Sequence, residues 1–438
     1  MVESNIPLIP SDNVIQSILA ARVDDYRLSV GMAVGITDVG SRRLVSHGYG
    51  DGAARHAIDG DTIFDIGSVT KLFTLLLLSE MVCRGEVCLD DPVAEHLPPD
   101  VRVPERDGRR ITLVDLATHT SGLPRRMPKF VPADPLNPYA EYTAERVYDF
   151  LSSYELPRGI GDLMLYSNLG MGLLGHALAL RAGLDYETLI LSRLCRPLGM
   201  NSTMIALPPE LRCRFAAGHD ESLDPVPSWD LGVLPGMGAL RSSASDLLIF
   251  LEALGDDNSP LAPAVNLFMA PREPVGGHRG SLGGLIWSFV GYSLVTHGGQ
   301  TGGYRSYVGY IPEWRRGVVA LSNSGVGPVG DLAGHLLDAR KALVEHRREI
   351  EVDSSLLERY VGSYELRPEI ILSVTQEADR LFVQATGQTR LRLFAETERR
   401  YFIKWVDAQI TFEPGADGRA VSLVLHQNNR DQNAPRIA

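Results

Sequence analysis

Lysine is nearly missing from this chain. Of 42 basic residues in 438, only those at positions 71, 129, 341 and 404 are lysine, and the rest are arginine. Other features are missing too. No block of like charge and no basic stripe breaks the sequence, and the net charge is −12. That balance argues against a nucleic-acid partner or an anionic membrane surface. The four cysteines, Cys83, Cys88, Cys195 and Cys213, form no C-x-x-C pair and are too sparse for a disulfide framework, so free, buried thiols are expected. No apolar run approaches the ~20 residues that span a bilayer. The first thirty residues lack the basic and apolar regions of a signal peptide, so the chain as written reads as cytoplasmic, or as periplasmic or secreted if it is a trimmed mature form. There is no G-x-S-x-G elbow, no H-E-x-x-H, no P-loop and no dinucleotide fingerprint in a strand–turn–helix setting. The expectation is a metal-free, cofactor-free protein.

What is present has the composition of an ordinary globular chain, 44% apolar and 22% charged. Its length exceeds the roughly 250–300 residues at which one core stops growing, which favours two domains. Strand alternation in "SVGMAVGITDVGSRRLVSHGYG" near the start returns at "GLIWSFVGYSLVTHGG" and "YRSYVGYIPEWRRGVVALSN". Between them lie Pro-rich loops and helical segments, including 168–182 and 186–196, and a helical stretch is expected over roughly 329–350. The pattern predicts an α+β domain over 1–350, with a sheet built from both ends of the segment and a helical region inserted. From about 351 to 438, seven short alternating runs, from "YVGSYEL" to "AVSLVLHQN", predict a small all-β sandwich or barrel.

The chemistry begins with "TIFDIGSVTKLFTLLLL", residues 62–78, which reads as a short strand entering a helix near Ser68. Lys71 then lies one turn on, on nearly the same face. Arginine cannot give up its proton in a protein, whereas a lysine at a helix N-terminus and against leucines can. A neutral Lys71 amine would serve as base for a Ser68 nucleophile. Chance placement of one of four lysines beside a serine is the bland alternative. In "LMLYSNLGMGLLG", Tyr166 and Asn168 precede a helix. A tyrosine near an ammonium can have its pKa lowered and act as acid and base, and Asn168 can grip a substrate amide. The alternative there is a turn with Asn as a helix cap. In "LVTHGGQTGGYRSYVGYI", a strand runs into His297, Gly298, Gly299 and Gln300. An N–H there, with that of Ser68, would form an oxyanion hole; a glycine-rich hairpin is the plain reading.

Taken together, Ser-x-x-Lys, Tyr-x-Asn and His-x-Gly in that order resemble the serine β-lactamase and penicillin-recognising superfamily. Tyr-x-Asn points to its class C β-lactamase and DD-peptidase branch, the S12-type serine peptidases. "LVDLATHTSGLP", "LCRPLGMNSTM" and "GMGALRSSASDLLIFLEA" are similar to framework segments of that branch, and the likeness covers roughly residues 10–345. It implies a β-lactamase/transpeptidase-like antiparallel sheet with its inserted helical region, an α/β sandwich. It also implies an acyl-enzyme on Ser68, with Lys71 as base and Tyr166 relaying protons to the leaving group. Asn168, His297, Gly299 and Gln300 would bind substrate, a small molecule or short peptide. His297 departs from the Lys-Thr-Gly of class C β-lactamases. It is more like D-aminopeptidases, some DD-peptidases and esterase relatives, and offers only a weak, pH-dependent carboxylate partner. The C-terminal module resembles the lipocalin-like domain of certain S12 peptidases. The implied activity is hydrolysis of amides, peptides or esters, of D-aminopeptidase or DD-carboxypeptidase type. The alternatives are a class C-like β-lactamase or esterase, and a slow penicillin-binding or sensor protein. His119 and Asp65 are expected to be structural.

Overall fold

The run Leu72–Leu78 leaves no polar face for a surface helix, so the helix it forms has to be buried. In the structure, a computed structural model, that helix spans Thr70–Cys83 and twelve of its fourteen residues are buried. The structure describes residues 6–51, 56–275, 278–280, 282, 286–289, 292–428 and 430–437. These fall into two units: Met1–Leu19, Val30–Asp220 and Asp224–Leu343 in one, Ala20–Ser29, Glu221–Leu223 and Val344–Ala438 in the other.

The larger unit is built on a six-stranded antiparallel sheet in the order 286–289, 292–300, 305–311, 316–322, 31–38, 41–48. Strands from both ends of the segment therefore meet at its centre, where Gly31–Asp38 pairs Arg316–Ser322 from Met32↔Ser322 to Asp38↔Arg316. Both of these strands are buried along nearly their whole length, whereas the edge strand Ser41–Gly48 is largely open. A helix over Ala244–Ala253 covers the sheet, and Phe250 from it stacks on Phe73 at a ring distance of 4.4 Å. Through that contact the sheet, the covering helix and the Thr70–Cys83 helix share one core. Burying such aromatic and leucine side chains contributes roughly 1.5–3 kcal/mol each.

The smaller unit carries an eight-stranded antiparallel sheet whose strands follow sequence order from Gly362–Arg367 to Arg430–Pro435. First and last strands meet through a Tyr364–Arg436 bridge and an Ile437 N–H bond of 2.8 Å to the Ser363 carbonyl, which nearly closes the sheet into a barrel. Its core is aromatic: Phe412 stacks on Tyr360 at 4.3 Å and meets Tyr401 edge-on.

Three expectations change. The helix expected over 329–350 covers only Gly330–Leu337, because Asp338 turns to an extended conformation and ends it. An eighth strand, Arg430–Pro435, joins the seven expected; its sequence RDQNAP shows no apolar alternation and buries only Ala434. The thiols are free, yet only Cys195 is buried, while Cys83, Cys88 and Cys213 are exposed.

Candidate active site

The chain reaches Ser68 through a tightly held turn. Strand Ile63–Asp65 pairs Arg241–Ser243, and Asp65 is pinned by Arg241 at 2.9 Å, which makes it the structural strand-end residue expected. Next, Ile66 donates its N–H to Leu240 O, and its own carbonyl accepts the Ser306 hydroxyl at 2.7 Å. Gly67 then adopts φ +49°, and a Cβ there would lie 2.8 Å from the Gln300 nitrogen. Only glycine satisfies both the backbone angle and that approach. The same packing excludes a side chain at Gly299, whose Cβ would fall 2.0 Å from the Ile66 carbonyl oxygen. The two glycines thus let the Ser68 turn and the strand Tyr292–Gln300 touch backbone to backbone.

Lys71 follows in the first turn of the buried helix. Its Nζ lies 2.9 Å from Ser68 Oγ and also donates to the Met237 carbonyl. The side chain is fully buried and no carboxylate pairs with it among the described residues. Burial first, and the charge of Arg125 second, hold its pKa well below that of an ordinary lysine. A neutral amine at 2.9 Å is within reach of the serine hydroxyl proton.

Tyr166 closes the site from the other side. Its ring lies 5.0 Å from Lys71 Nζ, and Ser68 has the larger effect of the two groups that lower its phenol's pKa against burial. The lowered pKa expected for this tyrosine does not occur. Burial pushes it up to about 12, and Ser68 and Arg125 offset only part of that. The expectation presumed an ammonium beside the phenol, whereas the neighbouring lysine is the group driven neutral. Asn168 opens the helix Asn168–Ala182, but its side chain is not the cap: Ser167 caps, accepting the Gly170 N–H at 2.8 Å. Asn168 Oδ1 is buried without a hydrogen-bond partner among the described residues.

His297 sits on the strand Tyr292–Gln300, its ring centroid 6.2 Å from that of Tyr166. On one side this strand pairs 286–289 from Tyr292 to Val295, and on the other it pairs 305–311 from Val295 to Gln300. A carbonyl can only accept, so the 2.7 Å contact of His297 Nδ1 with Gly298 O places the proton on Nδ1. Nε2 is then an acceptor, buried and unpartnered. Burial and the nearby Lys71 lower the pKa of His297 to about 3. The weak, pH-dependent carboxylate partner expected at this position is therefore an uncharged acceptor near neutral pH.

One neighbour escaped the sequence reading. His119 lies beside Tyr166, ring centroids 4.7 Å apart, although 47 positions separate them in the chain. It is buried and holds φ +59°, a backbone state costing of order 1–3 kcal/mol outside glycine. Its Nδ1 accepts the Ser167 N–H at 3.2 Å, its carbonyl accepts that of Leu165 at 2.9 Å, and its pKa falls to about 3. The only sequence signal was the histidine at the head of "THTSGL". Among the described residues no three His, Cys, Asp or Glu side chains converge as metal ligands.

A turn holding serine and lysine, a tyrosine beside them and the strand Tyr292–Gln300 converge on one candidate site. Comparison with known proteins decides its lineage, since the Beta-lactamase family profile matches residues 15–342. The chain belongs to the Beta-lactamase family. Residues 346–435 match a second profile, described only as a domain of unknown function (DUF3471). The D-alanyl-D-alanine-carboxypeptidase/endopeptidase AmpH of Escherichia coli (strain K12) is 33% identical over 224 residues, 51% of this chain and 57% of that protein. The match thus spans little more than half the length of that relative. Penicillin-binding protein 4* of Bacillus subtilis (strain 168) is 26% identical over 430 residues, covering 89% of this chain and 91% of its own. Among solved structures, a Beta-Lactamase/D-Alanine Carboxypeptidase from Pseudomonas syringae superposes with TM-score 0.64 at 22% identity, covering 75% of this chain and 98% of the other. These relatives of the Beta-lactamase family bear out the kinship and the α+β fold expected from the motifs.

Proposed function

We propose that the chain is a serine hydrolase that works through an acyl-enzyme on Ser68, acting on amides or esters of short D-amino-acid peptides. The 2.9 Å contact between Ser68 Oγ and a buried Lys71 with no acidic partner carries this reading. Lys71 removes the hydroxyl proton as Oγ attacks the carbonyl carbon. The N–H groups of Ser68 and Gln300, brought close by Gly67, hold the oxyanion; losing one such donor typically costs about 2.7–4 kcal/mol. Tyr166, protonated with a pKa of about 12, passes a proton to the leaving group. Water then releases the acyl group by the reverse relay. Asn168 Oδ1 accepts the substrate amide N–H, and His297, Gly299 and Gln300 line the substrate from the strand Tyr292–Gln300. The catalytic machinery lies within residues 1–350, with 351–438 as a separate β-domain.

D-aminopeptidase or DD-carboxypeptidase chemistry fits a cleft whose histidines are neutral acceptors and donors. Two relatives are named for penicillin binding and for peptide-bond cleavage, which keeps a second reading open: a β-lactamase, esterase or slow penicillin binder using the same acylation. No helix among the described residues is long and apolar enough to cross a membrane. A periplasmic or secreted location suits the peptide substrates proposed. The test is intact mass over time with excess penicillin, then with D-aminoacyl amides and short esters, for wild type and Ser68→Ala. A wild-type adduct absent from the variant supports the reading, and adduct lifetime separates lactamase from binder. Turnover of any of these by Ser68→Ala at the wild-type rate overturns it.

A further inference from the structure

The positive charge that the neutral His297 does not supply is present elsewhere in the cleft. Arg125 is exposed, and its guanidinium carbon lies 5.6 Å from the Tyr166 ring centroid. It acts on the reaction centre electrostatically, lowering the pKa of both Lys71 and Tyr166. Among the described residues no carboxylate or carbonyl accepts from its guanidinium. Other arginines are committed: Arg109, Arg193 and Arg241 all hold acidic partners.

Its backbone is not free to wander. The Arg125 carbonyl accepts the N–H groups of Asn168 and Leu169, at 3.1 and 3.2 Å, which ties it to the first turn of the helix carrying Asn168. Next to it, Pro124 O accepts the Ser167 hydroxyl at 2.7 Å. The backbone that carries the guanidinium is therefore fixed at the start of the Asn168 helix. A planar fork of donors so placed, stacked on an aromatic face and unpaired, suits bidentate binding of a carboxylate.

We infer that Arg125 is a specificity-determining residue that binds a carboxylate carried on the acyl portion of the substrate, the part gripped by Asn168. The inference rests on the acyl-enzyme reading, since it takes Ser68 as the point of attachment. It distinguishes acyl groups with a free acid from otherwise equal neutral ones. It also explains how a chain of net charge −12 presents an acid-accepting cleft: the one guanidinium on Tyr166 is local, and the negative balance lies elsewhere.

Arylboronic acids test this without turnover, because boron accepts the Ser68 oxygen reversibly and the ring stands in for the acyl group. Inhibition or binding constants are measured for 3- and 4-carboxyphenylboronic acids and their uncharged carboxamide partners. Wild type, Arg125→Lys and Arg125→Gln are compared at low and high salt, with thermal melting confirming that each is folded. The expected result is a preference of wild type for one carboxylate over its carboxamide by about tenfold or more. That ratio collapses towards unity in Arg125→Gln, is partly kept in Arg125→Lys, and shrinks with salt. A ratio unchanged in Arg125→Gln, no preference in wild type, or equal loss for both probes overturns the inference. If neither probe binds wild type at Ser68, the acyl-enzyme reading itself fails and the inference falls with it.

Discussion

Two of the four lysines are buried, one in each unit, and they differ in one respect. Among the described residues Lys71 has no acidic partner, and it lies 2.9 Å from a serine hydroxyl. Lys404, its side chain 2% exposed, bonds Glu349 at 3.3 Å and the Arg27 carbonyl at 3.1 Å, and rests 4.0 Å over the Phe394 ring. Burial lowers the pKa of both. For Lys404 the Glu349 carboxylate limits the fall to about 8, whereas Lys71 has only the like charge of Arg125 and falls further below the ordinary value. Depth alone does not make a lysine a base. A base needs depth without a counterion.

The sharpest way to break this comparison is to replace each lysine by arginine, which keeps the charge and cannot lose it. Lys71→Arg is expected to slow acylation of Ser68 by roughly three orders of magnitude or more, since base assistance and fit are lost together. Lys404→Arg is expected to leave the acylation rate within about twofold. Stopped-flow or mass-resolved acylation measures both, and near-normal acylation by Lys71→Arg would remove the proton-acceptor role.

Next in size comes Tyr166→Phe. The ring and its packing against His119 remain, and the phenol proton is deleted. A fall in kcat of roughly 100-fold or more with a much smaller change in KM is expected, within the usual range for general acid–base groups. A change confined to KM would assign Tyr166 to binding alone.

A smaller effect tests one of the two neutral histidines. His119 has a folded pKa of about 3 against 6.5 unfolded. As pH falls below about 6.5 the unfolded chain binds the proton first, so stability is whole above 6.5 and is lost progressively towards 3. His119→Asn keeps an acceptor for the Ser167 N–H and tolerates positive φ. Its melting temperature is expected to fall less steeply than that of wild type between pH 6.5 and 5, above the range of most carboxylates. An unaltered slope would show that His119 does not titrate as its burial requires.

Much of the site was legible because its signals are local. Lysine scarcity singled out Lys71, and the alternation around His297–Gln300 announced a strand. His119 and Arg125 were not, for different reasons. The role of His119 depends on a left-handed backbone and a contact 47 positions away, neither of which leaves a periodic trace. Arg125 is one arginine among many, and only its place on the Tyr166 ring sets it apart. The fold shows the same division. The central strands advertised themselves by apolar runs, whereas Arg430–Pro435 pairs through its backbone and carries polar side chains. The overlong helix of 329–350 arose from helix-favouring composition after Leu337, which extended backbone at Asp338 overrides.

The last prediction returns to Lys404 and works in the alkaline direction. Its pKa is about 8 folded and 10.5 as the ordinary value. Between these values the unfolded chain holds the proton that the folded chain has released, so folded stability rises with pH across that window and the penalty for burying the ammonium persists below it. The gain is at most about 3 kcal/mol from a shift of this size. Melting of the full chain between pH 8 and 10 should therefore show a rising contribution in wild type that Lys404→Met lacks. Glu349→Gln should steepen the rise and move its onset to lower pH, because the carboxylate is what keeps Lys404 from falling as far as Lys71. If Glu349→Gln leaves the alkaline profile as it was, the counterion does not explain why one buried lysine stays near its charged state and the other does not.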